Sequence, residues 1–154
     1  METGLLHLHN ILRWVIFILL LIGIFKNYAD ANKPFTKAHK NIGLFTMIAA
    51  HLTLLIGLYQ VILGNRFSWT NVPAGESVMK NSTLRFFLVE HPLAMIIAIV
   101  LITIGYGVYK KNISDTQKHK KAALMFLLAL VLILAVVPWP FRADGIARPL
   151  FPGM

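Results

Sequence analysis

Four long apolar runs, separated by short polar connections, constrain this chain more than any other feature. They lie at about residues 5–25, 42–63, 84–109 and 122–137. Each is near the ~20 residues that a helix needs to cross roughly 30 Å of hydrocarbon. An unpaired backbone group is costly in lipid, so each run is expected to be helical. Only 14% of the 154 residues are charged, where a soluble domain carries roughly a quarter. Little chain is left for anything but the bundle and its rims. The expected fold is therefore all-α, an integral membrane four-helix bundle forming one domain.

The connections predict an orientation. Lys26, Lys33, Lys37 and Lys40 crowd the first, and Lys110, Lys111, Lys118, Lys120 and Lys121 the third. The opposite side has Arg66 and Lys80, with Arg142 and Arg148 in the tail. The positive-inside rule makes the lysine-rich loops cytoplasmic, which puts both termini outside, in the periplasm of a bacterial inner membrane. Trp14, Trp69 and Trp139 then fall near the outer interface. The first run does not read as a signal peptide: Glu2 precedes it, no basic residue does, and no small-residue cleavage site follows. The connection from Gly64 to Thr83, rich in Gly, Pro, Asn and Ser, is expected to cap the outer face.

Several chemistries drop out. With no cysteine, disulfides, thiolate-bound iron–sulfur clusters and covalent haem attachment are excluded. The net charge of +9 is explained by topology, and its confinement to two loops does not suit nucleic acid. No hydrolytic triad, phosphate loop or nucleotide fingerprint is present.

Ionisable residues within the spans carry the functional signal, because lipid makes them costly unless they face the bundle interior or a cavity. They are His7, His9 and Arg13 in the first span, His51 in the second, and Arg85, Glu90 and His91 in the third. His51 stands about ten residues into an apolar run, roughly 15 Å from its cytoplasmic end. It is too short to snorkel to water. His9 and His91 fall at similar depths, with His51 deeper.

Three histidines from three helices in the outer half suggest an axially ligated b-type haem, since haem iron takes imidazole nitrogens and a bundle holds cofactors between facing helices. Ala94, Met95 and Ala98 form a small-residue stripe beside His91. Leu54, Leu55 and Leu58 share a face with His51. Arg13, one turn from His9, offers a planar fork for a propionate. The plainer reading makes each histidine an interhelical hydrogen-bonding contact and pairs Arg13 with Glu90 across the outer rim. His7 is expected to be structural or solvated. His39 and His119, set among lysines, are expected to be solvated or to touch lipid phosphate. Pro92 removes a backbone donor and predicts a kink beside His91.

LLHLHNILRW, AAHLTLLIGL, LRFFLVEHP, KHKK and VVPWP, spread over nearly the whole chain, resemble a family of small four-span, cytochrome b-like membrane proteins of Bacteroidetes. The resemblance implies haem b and electron transfer. It points to His9, His51 and His91 as candidate ligands, with Arg13 and Glu90 nearby, and leaves the axial pair open. His119 matches the same pattern from a loop position.

The leading expectation is an electron carrier in contact with lipid, exchanging with quinol or a respiratory partner, rather than a stand-alone enzyme. Two alternatives stand beside it. One is a non-enzymatic accessory or scaffold subunit of a membrane complex. The other is a metal or proton site built from the same histidines.

Overall fold

The computed structural model describes residues 2–143 and 145–151. Four helices, Glu2–Ala29, Lys37–Leu63, Ser82–Lys110 and Asp115–Val136, are long and apolar enough to cross a membrane. There is no strand among the described residues. The helices outrun the apolar stretches at their lysine-rich ends, because backbone pairing continues past an interface once the first turn is capped. Ser114 caps the fourth helix by accepting from the Gln117 N–H, and His39 Nδ1 accepts from the Thr36 N–H at the start of the second. The fourth helix ends at Val136, just before Pro138.

Each helix packs on its two neighbours, first on second, second on third, third on fourth and fourth on first. Short connections enforce this ring. Inward seams alternate at three- and four-residue spacing: Ile16, Leu20, Ile24 and Asn27 on the first helix, and His119, Ala122, Phe126, Ala129 and Ile133 on the fourth. Hydrophobicity does not separate core from lipid, since Phe25, Phe45, Leu55, Leu93 and Val131 all face outward. Small residues mark the interior instead, because they let backbones approach. On the second helix these are Gly43, Thr46, Ala49 and Ala50.

Phe126 is the largest knob in this packing. Its ring lies where a Cβ on Gly105 would come within 2.6 Å and one on Gly23 within 3.1 Å. A Gly105→Ala chain is therefore expected to lose about 1–3 kcal/mol to overpacking, measurable as a lower unfolding temperature in detergent.

The expected kink at Pro92 takes a different form. Residues Phe86–Glu90 make a π-helical turn, and the His91 N–H reaches back to the Phe86 carbonyl. Proline cannot donate to the Leu88 carbonyl and would clash with it, so one wide turn absorbs the mismatch before the α-helix His91–Gly107 begins. The irregular turn thus lies directly ahead of His91.

The end that carries both chain termini is capped by the second connection together with the tail. Phe67 stacks on Phe87 at 4.4 Å, and the Arg148 guanidinium lies 4.6 Å from the Phe87 ring. The tail then crosses to the first helix, where the Leu150 carbonyl accepts from Arg13 at 2.7 Å and from Trp14 Nε1 at 2.9 Å.

Candidate functional site

His9 and His91 meet at the terminal end of the bundle, with ring centroids 6.4 Å apart and planes inclined at 56°. His91 Nδ1 donates to the Val136 carbonyl at 2.9 Å, which places the proton on Nδ1 and leaves Nε2 as the lone-pair nitrogen of the neutral ring. His9 packs against Gly57, where a Cβ would lie 3.4 Å from the His9 ring.

Among the described residues, three buried polar atoms here have no hydrogen-bond partner: His9 Nδ1, Asn10 Oδ1 and Arg13 Nε. All sit within four residues of the first helix, on one broad face. Buried polar atoms are rarely left unpaired, so this concentration asks for a group that supplies both donor and acceptor capacity. Arg13 also lies 5.3 Å from the Trp14 ring and 6.0 Å from the Trp139 ring, and Phe151 stacks on Trp14 at 5.4 Å.

His51 stands apart from this pair. It is exposed on the outer side of the second helix, and its Nδ1 bonds to the Met47 carbonyl one turn back. The face it shares with Leu55 and Leu58 is the outer one, since the small-residue seam points the other way. Among the described residues, no three His, Cys, Asp or Glu side chains converge to hold a metal ion. The trio of histidines expected from the sequence is therefore a pair plus one. The rim pairing also differs from expectation: Glu90 accepts from Arg85 Nε at 2.7 Å, not from Arg13. Arg13 turns to the tail carbonyl instead. His7 is half-buried.

His39 and His119 require the largest correction. Both were expected to be solvated, yet they are 4% and 0% exposed. His119 lies inside the fourth helix, which begins at Asp115, so that helix is not free of ionisable groups. Its Nδ1 is 2.9 Å from Asn27 Oδ1 and its Nε2 donates to the Lys33 carbonyl at 3.1 Å. His39 packs edge-on against it at 4.6 Å. Because His39 Nδ1 accepts from Thr36, its Nε2 donates to Asp30 Oδ2 at 3.0 Å. Phe35 covers both rings at 5.1 and 5.0 Å. Every ring nitrogen in this cluster has a protein partner, which makes it a latch between the first connection and the fourth helix. The seam spacing from His119 through Ala122 and Phe126 was the available signal, masked by the lysines around it.

Asp30 anchors that latch. Hydrogen bonds from Lys33 and Lys26 hold its carboxyl well below the usual carboxylate range. A depressed carboxylate stabilises the fold above its unfolded value, about 3.9, and loses that contribution as pH falls through the folded value. Acid unfolding below about pH 4 should therefore steepen in the wild type and flatten in Asp30→Asn, as followed by circular dichroism.

Comparison with protein-family models, with curated proteins and with solved structures returned no match.

Proposed function

We propose that this chain spans the bacterial inner membrane with both termini periplasmic, and that it carries electrons through a haem b held between His9 and His91. What supports the reading is the histidine pair itself: two rings from two helices, 6.4 Å apart, beside buried unpartnered atoms. The donor set suits the group. His9 and His91 would hold the iron of such a group through imidazole nitrogens. A bound haem b supplies a one-electron couple.

The chain's own residues account for the rest. The Val136 carbonyl fixes the His91 tautomer and ring plane, as second-shell carbonyls do for metal-binding histidines. Arg13, with its unpartnered Nε, is placed to pair with a carboxylate such as a propionate. Trp14, Phe151 and the tail lie over this end and shield it from water. The electron donor in this reading is a membrane quinol or a respiratory partner.

Oxidised and reduced absorption spectra of protein purified from haem-replete cells test the reading. A Soret band that sharpens on reduction, with a resolved α band, is expected. Colourless protein overturns the haem assignment. Zinc or copper in its place would make the histidines a metal site without porphyrin, and neither metal nor colour would favour the accessory subunit.

A further inference from the structure

The lysine-rich end holds more positive charge than the protein itself neutralises. Of the six Asp and Glu residues, only Asp30 and Asp115 belong to the connections at that end. Asp30 is taken by Lys26, Lys33 and His39, and Asp115 by Lys118. Lys37, Lys40, Lys110, Lys111, Lys120 and Lys121 have no carboxylate partner among the described residues. Two of these lysines converge on one side chain. Lys40 Nζ lies 4.6 Å from the centre of the Tyr109 ring, and Lys110 Nζ 5.7 Å from it. Helix packing sets this corner. A Cβ on Gly43 would lie 3.4 Å from Tyr106 Cδ2, so the second and third helices touch there, and one turn further along Lys40 meets Tyr109. Tyr106 donates to the Tyr109 hydroxyl at 3.4 Å, which leaves Tyr109 its own proton to donate. A ring face attracts an ammonium without cancelling its charge. The corner thus presents two cations and a hydroxyl donor, with Lys40 and Tyr109 half-buried and no anion beside them.

Position and charge together choose an occupant. Lys40 stands two residues before the apolar run 42–63, and Lys110 directly follows the run 84–109. In a membrane-spanning bundle that is the depth of the lipid headgroups. A phosphodiester there offers its charge and several acceptor oxygens to both ammoniums and to the hydroxyl at once. We propose that Lys40, Lys110 and Tyr109 form a binding site for the phosphate of an anionic phospholipid, and that the site prefers a net-negative headgroup to a zwitterionic one. A headgroup with its own ammonium brings a third cation to a corner that already holds two. The outer face between the same two helices continues as an apolar groove past Met47, Ile48, Leu52 and Thr103. Acyl chains gain from that continuation, whereas free phosphate does not. The proposal rests on the transmembrane part of the reading above and is independent of haem.

The test uses full-length protein in a neutral detergent, with native mass spectrometry following dioleoyl phosphatidylglycerol, dioleoyl phosphatidylethanolamine and inorganic phosphate as probes. Phosphatidylglycerol should bind roughly tenfold more tightly than phosphatidylethanolamine. Lys40→Gln combined with Lys110→Gln should weaken phosphatidylglycerol binding roughly 30-fold, and Tyr109→Phe should weaken it about fivefold. The control pair, Lys120→Gln with Lys121→Gln, removes the same charge from the same end of the bundle. It should stay within about threefold of the wild type. Equal binding of the two lipids would overturn the proposal. So would an equal loss in the control pair, which would make the attraction a property of the whole basic end. Displacement of the lipid by millimolar inorganic phosphate would overturn it too, making a free anion the ligand. Extraction of the wild type from membranes by alkaline carbonate would instead overturn the transmembrane reading, separating the two failures.

Discussion

Replacing His119 with alanine is expected to cost roughly 3–6 kcal/mol and to open the lysine-rich end of the bundle. The side chain is fully buried, and both of its nitrogens are engaged, with Asn27 Oδ1 and the Lys33 carbonyl. Its removal leaves the Lys33 carbonyl without its donor, worth about 1–3 kcal/mol, and a cavity beside Phe35 and His39. Asn27 cannot simply turn to compensate, because its Nδ2 already donates to the Gly23 carbonyl at 2.7 Å. Thermal unfolding in detergent measures the loss. A change under about 1 kcal/mol would mean that the latch carries little of the bundle's stability. Haem content at permissive temperature should be unaffected, since this cluster lies at the far end from His9 and His91.

His91→Ala is expected to have the largest functional effect, lowering haem occupancy at least tenfold. It removes one of two imidazoles outright, a greater loss than the 10–100-fold that outer-shell changes alone produce in metal affinity. The fold should tolerate the change better than His119→Ala. His91 sits at the start of its α-helix, after the π-turn, and its side chain is tied to the Val136 carbonyl in the last residue of the fourth helix. Loss of that bond costs about 1 kcal/mol. A strong spectroscopic effect with a mild thermal one separates a ligand from a packing residue.

The four helices were legible because length and apolarity suffice to define spans. Which way a side chain faces was not, because lipid and core are equally apolar and the usual amphipathic signal vanishes. His51 illustrates this. Its face, with Leu55 and Leu58, looked like a haem wall, while the inward side was marked by small residues, Gly43, Thr46, Ala49 and Ala50. His39 and His119 were hidden for the opposite reason, since lysines that snorkel outward at a helix end disguise an inward neighbour as a loop residue. His9 and His91 were read at one depth, which followed from counting residues, and their rings meet there. The partner of Arg13 was not legible, as it is a tail carbonyl 137 positions away that no side-chain pattern announces.

The central claim is that His9 and His91, and not His51, form the cofactor site. The most direct measurement is haem content per protein, by pyridine haemochrome, in the wild type and in the His9→Ala, His91→Ala and His51→Ala variants prepared alike. The account predicts haem in the wild type and in His51→Ala, and its loss in the other two. Loss of haem in His51→Ala with retention in His9→Ala, or no haem in any of the four, would contradict it.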